Sequence, residues 1–296
     1  MINLYQILKT SPDFSGQLTC GDLLLTHIDC PQTVRKERFY LQHNLIVYVI
    51  RGRRIVHRNR KTHDLSEGVC AFIKKGTYIA EKEENEGWCE MAFLIPDSFL
   101  KQLVEENYRN LPLTNLPEAP EDDILELEIN DLTRSFFSSM MPYFTQTPPP
   151  PENLIELKFK ELILSMLFSK KNNRLLSYFN WLRDNKYPTV EEVMHKNFTF
   201  NLTLPEFATL ACRSVPTFQR EFRKIFGTTP ARWIMKKRLK LATELLENTP
   251  MSIGEITFEC GFENQTHFSR VFKEYMGLSP SRYRMECQAV ATGIHS

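Results

Sequence analysis

The last third of the chain repeats itself. Shifted by 50 positions, Phe218 falls on Phe268, Arg220 on Arg270, Phe222 on Phe272 and Gly227 on Gly277; Pro230 falls on Pro280, Arg232 on Arg282 and Trp233 on Tyr283. Further upstream the shift is 49, with Thr203 on Ser252, Glu206 on Glu255, Phe207 on Ile256 and Cys212 on Gly261. The second copy therefore carries one additional residue between Gly261 and Phe268. A duplicated unit folds the same way twice, so each matched pair marks a position with a structural duty.

The matched residues spell out one supersecondary unit. Thr203-Leu-Pro-Glu206 and Ser252-Ile-Gly-Glu255 are capping boxes, in which the hydroxyl takes the third amide of a helix and the Glu reaches back to the cap amide. A short helix follows each, then a tight turn at Cys212–Ser214 and at Gly261–Asn264. A longer helix then buries Phe218, Phe222 and Ile225 in one copy and Phe268, Val271 and Phe272 in the other. Gly227 and Gly277 end these helices, where glycine adopts a left-handed cap freely. Helix, tight turn, helix is the helix-turn-helix arrangement, here present twice. Between the copies, Pro230–Glu247 reads as one long helix that starts with a proline in its first turn and buries Trp233, Ile234, Leu239, Leu241, Ala242, Leu245 and Leu246. It acts as a rigid spacer.

Charge separates along the same division. The whole chain has 37 Lys+Arg and 36 Asp+Glu, a net +1, which by itself argues against a polybasic DNA-coating protein. From Lys196 to Glu286 there are 14 basic and nine acidic residues, +5; the remainder holds 23 and 27, −4. A basic patch on a helix-turn-helix module is the electrostatic footprint of DNA binding.

At these residues a family resemblance becomes specific. Phe218-Gln-Arg-Glu-Phe-Arg-Lys-Ile-Phe-Gly227 with Pro230 resembles the first helix-turn-helix of the AraC/XylS transcription regulators. Ser252-Ile-Gly-Glu-Ile-Thr-Phe-Glu-Cys-Gly-Phe262, His267-Phe-Ser-Arg-Val-Phe-Lys273, Gly277-Leu-Ser-Pro280 and Tyr283-Arg284 resemble that family's C-terminal signature. The resemblance spans about 90 residues. It implies seven helices holding two helix-turn-helix units, whose recognition helices enter successive major-groove segments of double-stranded promoter DNA. One monomer then reads an asymmetric site, where an ordinary helix-turn-helix protein needs a symmetric dimer.

By position, the resemblance implies that Pro216, Thr217, Gln219 and Arg220 face base edges from the first recognition helix, and Asn264, Gln265, Thr266, Ser269 and Arg270 from the second. Arg bonds guanine O6 and N7 together, and Gln bonds adenine N6 and N7. Arg223, Lys224 and Lys273 are placed to contact phosphate and to set affinity. The alternative for Arg220 and Arg270 is a pairing with an acidic neighbour such as Glu221 or Glu274. Two departures from the family pattern stand out. Pro216 offers only apolar contact where relatives often carry a polar or aromatic one, and Thr257 replaces the usual alanine.

Before the repeat the patterning differs. Leu23–His27, Leu45–Ile50, Ile55–His57, Val69–Ile73, Tyr78–Glu81 and Trp88–Ile95 are short apolar or alternating runs punctuated by Gly52, Gly68, Gly76 and Gly87. They predict an antiparallel sandwich or barrel; the family implies a cupin-like β-barrel. Residues 117–131 are acidic. A stripe of Leu125, Ile129, Leu132, Phe136 and Met140 then predicts a helix that the prolines after Thr147 must end. A second helix buries Ile155, Phe159, Leu162, Ile163, Met166 and Leu167. These helices could pack on each other, on the β domain or on a second subunit, and the family implies a dimerisation element. The expected organisation is an α+β multidomain chain: a cupin-like β sensor domain at 1–116, a helical dimerisation and linker segment at 117–185, and an all-α double helix-turn-helix domain at 186–296.

The hairpin Arg51–Lys61 carries six Lys or Arg in eleven residues. A solvated edge blunted by charge is one reading. An anionic effector, a DNA phosphate or the acidic 117–131 segment of a partner subunit are the others. Seven widely spaced cysteines without a CxxC predict reduced thiols. His27, His43, His57 and His63 are scattered, so neither a metal nor another cofactor is expected. No signal peptide or membrane span is evident, which predicts a soluble cytoplasmic protein. The expected function is a non-enzymatic, sequence-specific transcriptional regulator, an activator working with RNA polymerase. It is controlled by a small-molecule effector or a regulatory protein at the N-terminal domain, and it pairs as a homodimer. A cupin-type metal-dependent enzyme and an interaction adaptor with a vestigial DNA reader are the alternatives.

Overall fold

A computed structural model describes residues 1–10, 16–30, 36–58, 61–82, 87–184 and 186–291, with only the backbone described for Cys30, Lys82 and residues 289–291. The chain divides into two compact units, Met1–Tyr187 and Pro188–Ser296.

The first unit begins with β1 (Ile2–Asn3), α1 (Leu4–Thr10), β2 (Gly16–Cys20), β3 (Leu23–Cys30), β4 (Lys36–Leu41) and β5 (Asn44–Arg51). It continues with β6 (Arg53–Arg58), β7 (Lys61–Ser66), β8 (Cys70–Ile73), β9 (Gly76–Lys82), β10 (Trp88–Ile95) and α2 (Asp97–Asn107). After β11 (Ile124–Leu127) come α3 (Asp131–Thr145), α4 (Glu152–Leu167), a short 3₁₀ turn and α5 (Asn173–Arg183).

Two sheets form, in the orders β1-β4-β9-β6-β7 and β11-β8-β5-β10-β3-β2. Every pairing is antiparallel except β1 with β4. The cupin-like β architecture is thus an open two-sheet sandwich rather than a closed barrel, because barrel closure needs the edge strands to pair. The outer edge of β11 instead meets the 3₁₀ turn: Asn172 Oδ1 accepts from Glu128 N–H at 2.9 Å, and its amide nitrogen donates to Glu128 O at 3.1 Å.

Strand β10 explains the layering. All eight of its residues are buried. Alternate side chains point to opposite faces of a strand. Trp88, Ala92 and Leu94 meet Phe39, Tyr78 and Val56 between the sheets, whereas Met91, Phe93 and Ile95 share a core with the helices. A strand covered on both faces reads as a near-continuous apolar run, as Trp88–Ile95 does.

The helices therefore pack on the β-sheet of their own chain. The α4 residues Ile155, Phe159, Leu162, Ile163, Met166 and Leu167 are all buried there, beside Leu100, Leu103 and Val104 of α2. One expectation is corrected. Leu125 does not lie on a helix but on β11, paired with Phe72, and Ile129 lies between β11 and α3. The steps of three and four that link Leu125 to Phe136 cross a helix start. Asn130 caps α3, its Oδ1 accepting from Thr133 N–H at 2.9 Å, so helical periodicity begins only there. The buried stripe of α3 is Thr133, Phe136, Phe137 and Met140, while Leu132 stays 67% exposed. The helix ends at Thr145, ahead of the prolines.

The acidic segment finds its partners within the chain. Asp122 pairs with Lys61 at 2.5 Å and with Arg174, and hydrogen bonds from both hold its carboxyl down at about 2. Asp123 pairs with Arg58 at 2.9 Å. Arg53 grips Asp64, Arg51 grips Asp29, and Arg54 lies over the Trp88 ring. The basic hairpin is thus largely neutralised by its own unit; Asn59 and Arg60 at its tip lie outside the described residues.

Burial is the first cause that holds the imidazoles of His27, His43 and His63 below their ordinary value of 6.5. Just below pH 6.5 the unfolded chain then binds more protons than the folded one. Stability is full above that pH and falls as the solution is acidified toward the depressed folded values. The melting temperature is expected to be lower at pH 5.5 than at pH 7.5; equal values at the two pH values would contradict this assignment.

The second unit contains, among the described residues, seven helices, the number the family resemblance implies. They are α6 (Val190–Asn197), α7 (Leu204–Leu210), α8 (Val215–Phe226), α9 (Pro230–Asn248), α10 (Ile253–Glu259), α11 (Gln265–Met276) and α12 (Pro280–Ala291). No described helix is long and apolar enough to cross a membrane.

Candidate nucleic-acid interface

The two helix-turn-helix units are α7–α8 and α10–α11. Both capping boxes form. Thr203 N–H donates to Glu206 Oε2 at 2.7 Å and Ser252 N–H to Glu255 Oε2 at 2.6 Å, while each hydroxyl accepts the amide of its Glu. The chain then turns through a left-handed residue, Cys212 at φ 53° in the first unit and Gly261 at φ 82° in the second. One residue separates Cys212 from the next cap, Ser214, and two separate Gly261 from Asn264. That difference is the additional residue seen in the sequence. Both long helices end on left-handed glycines, Gly227 and Gly277, whose amides donate to Arg223 O and Lys273 O.

One face of each long helix is core. Phe218, Phe222, Phe268 and Phe272 are fully buried. Trp233 on α9 packs edge-on against Phe222, and its repeat counterpart Tyr283 on α12 packs edge-on against Phe272. This anchoring fixes what the other face presents. On α8, Pro216, Gln219, Arg220 and Arg223 recur at steps of three, one and three, which places them on one side of the helix. On α11, Thr266, Ser269, Arg270 and Lys273 repeat the pattern. All but Ser269, which is half-buried, are exposed.

Lys224 flanks the α8 face and is exposed, and Gln265, also exposed, opens α11. Thr217 is half-buried, and its hydroxyl accepts from Ser214 Oγ at 3.0 Å. Asn264 is the N-cap of α11: its Oδ1 accepts from His267 N–H at 2.8 Å, and its amide nitrogen can donate outward. Pro216 sits at the second helical position, where a missing amide hydrogen costs nothing. Thr257 is buried, and its hydroxyl returns to Ile253 O at 2.7 Å, so a buried polar group enters the core already satisfied.

The pairings that would have made Arg220 and Arg270 purely structural are not formed. Glu221 is bound by Arg213, at 3.2 Å between Nε and Oε2. Among the described residues the side chains of Arg220, Arg223, Lys224, Arg270 and Lys273 make no hydrogen bond or ion pair. Four cations, Arg220, Arg223, Arg270 and Lys273, thus stand unneutralised on two matched helix faces, with Lys224 beside the first. Two of the scattered N-terminal histidines, by contrast, are engaged: His27 lies 3.2 Å from Cys89 Sγ, and His57 lies 3.0 Å from Glu81. No group of three His, Cys, Asp or Glu able to hold a metal occurs among the described residues. The cysteines with described side chains are free thiols.

Two residues that brace the candidate interface were not anticipated. Arg238 on α9 is 8% exposed. It donates to Phe198 O, Phe200 O and Asn201 Oδ1 in the segment leading into the first helix-turn-helix, and to Gly261 O in the turn of the second. Its signal in the sequence is a lone cation inside the apolar stripe between Ile234 and Ala242. The other is Arg213, whose role depends on Glu221 eight residues away.

Comparison with known proteins decides the family. Residues 44–178 match the model of the ExsA N-terminal regulatory domain, and residues 207–286 match that of a helix-turn-helix domain. The chain belongs to the AraC/XylS family of transcriptional regulators. Among similar AraC/XylS proteins, the virulence regulon transcriptional activator VirF of Yersinia enterocolitica is 25% identical over 238 residues, 80% of this chain and 87% of that one. The HTH-type transcriptional regulator ExsA of Pseudomonas aeruginosa is 27% identical over 249 residues, 82% and 88% of the two chains. Of solved structures, the DNA-binding domain of AdpA in complex with a target DNA is 29% identical. It covers 34% of this chain and 93% of that one, with a TM-score of 0.32. AraC/XylS proteins are regulators rather than enzymes.

Proposed function

We propose that the chain is a sequence-specific transcription activator that reads one asymmetric promoter site with two helices, α8 and α11. The observation that carries this reading is the pair of matched, outward faces bearing four unneutralised cations, with Lys224 beside the first. Gln219 and Arg220 from α8, and Gln265, Thr266 and Arg270 from α11, address base edges; Arg223, Lys224 and Lys273 address phosphates. The backbone contacts set affinity and salt dependence, and the base contacts set sequence. Activation follows the relatives, VirF being named a transcriptional activator, and it acts on RNA polymerase. The first unit, matched by a regulatory-domain model, takes the signal as a small molecule or a regulatory protein and shifts the population between DNA-competent and incompetent forms. Leu132 on α3 and Leu157 on α4, 67% and 59% exposed, support pairing of two copies through that unit.

The test is a titration of a duplex enriched from random DNA by the full chain. Arg220→Ala and Arg270→Ala should each lose about 1–3 kcal/mol on that duplex and relax preference at different base positions. Lys224→Ala should weaken all duplexes alike and lower the salt slope by about one. Sequence-independent losses for both arginine variants would show phosphate contact and defeat the base-reading assignment.

A further inference from the structure

Glu221 is the one carboxylate on the outward half of α8 between Arg220 and Lys224. A free anion there would repel phosphate and, three residues before Lys224, would pair with that cation on the helix surface. In the folded chain it does neither. Arg213, in the turn between α7 and α8, holds both its oxygens through Nε at 3.3 and 3.2 Å. Another guanidinium nitrogen of Arg213 donates to Ala211 O at 3.1 Å and reaches Cys212 O at 3.5 Å, which anchors the clamp to the backbone of the turn itself.

The second helix-turn-helix shows what the clamp replaces. The repeat counterpart of Arg213 is Phe262 and that of Glu221 is Val271. Phe262 is buried, with its ring 5.0 Å from that of Phe268, and Val271 packs on the same cluster. Both members of the ion pair are exchanged together for two apolar residues, so the turn-to-helix brace is ionic in one copy and hydrophobic in the other. The apolar version leaves no charge to manage. The ionic version does, and it directs the charge inward.

We propose that Arg213 is a positioning residue for DNA binding by the first helix-turn-helix: it withdraws and neutralises the Glu221 carboxylate so that Lys224 stays free for phosphate. This rests on the reading of α8 as a DNA-facing helix.

The full chain is titrated against a duplex enriched from random DNA, across a range of salt, as wild type and as Arg213→Ala, Glu221→Ala, the double variant and Arg220→Ala. Arg213→Ala should bind about tenfold more weakly and lose about one from its salt slope, the signature of one phosphate contact neutralised. Glu221→Ala should bind at least as tightly as wild type, and the double variant should recover most of the lost affinity. A brace with only a structural role gives the opposite: Glu221→Ala weakens binding, and the double variant is no better than Arg213→Ala. Either that pattern or an unchanged Arg213→Ala overturns the proposal. If Arg220→Ala also binds like wild type, the DNA-facing assignment of α8 has failed instead.

Discussion

Replacing Arg238 by methionine is expected to destabilise the second unit by about 3–5 kcal/mol and to abolish DNA binding by both helix-turn-helix units at once. Methionine keeps much of the stem volume and removes every donor. Phe198 O, Phe200 O and Asn201 Oδ1 would lose their shared partner, as would Gly261 O. Each buried acceptor left without a hydrogen bond costs roughly 1–3 kcal/mol, partly recovered where water enters. Because those acceptors lie in the segment leading into the first helix-turn-helix and in the turn of the second, loss of one side chain uncouples both reading units from α9. Chemical denaturation followed by circular dichroism measures the effect. A loss below about 1 kcal/mol would mean that the network is incidental, since surface substitutions fall in that range.

Gly261→Ala carries the second large effect. Gly261 has φ 82°, and a Cβ there would lie 2.0 Å from Thr199 O, a backbone atom with little room to retreat. The left-handed conformation costs a side-chain-bearing residue roughly 1–2 kcal/mol, and overpacking adds about 1–3 kcal/mol more. The expected loss is about 2–5 kcal/mol. The counterpart in the first helix-turn-helix behaves differently. Cys212 already bears a side chain at φ 53°, so Cys212→Gly is expected to change stability by no more than about 1 kcal/mol. Equal effects at the two positions, measured by the same denaturation, would show that the turns are not distinguished by the Thr199 contact.

The helix-turn-helix units were legible because their determinants are local. Capping boxes, left-handed glycines and phenylalanines at helical spacing act within a few residues, and the duplication shows each twice. The site faces followed directly: once Phe218 and Phe222 are core, Arg220 and Arg223 must point away. Arg238 was not legible as a hub, because its acceptors come from segments 23 to 40 residues distant. Arg213 was hidden for a related reason, since its counterpart in the repeat is a phenylalanine and no match flagged it.

In the first unit, strands buried on at least one face announced themselves, as β5 and β10 did. Strands β4 and β7 did not. Lys36-Glu-Arg and Lys61-Thr-His-Asp are polar, and β7 is an edge, where charge protects against unwanted pairing and erases the apolar signal. The acidic segment misled in the other direction. Leu125 and Leu127 alternate around Glu126 as a four-residue strand should, but Leu125 also happens to fall in step with the helix that Asn130 starts. Only the pairing with β8, some 50 residues earlier, resolves the ambiguity.

The claim on which the rest depends is that one chain reads two different DNA elements with two matched helices. Selection of random duplexes by the full chain, repeated with Arg220→Ala and with Arg270→Ala, tests it most directly. The expected result is an enriched site of two unlike elements about one helical turn apart, with each substitution erasing preference within one element and leaving the other intact. A single palindromic element whose preference is erased by both substitutions alike would contradict it.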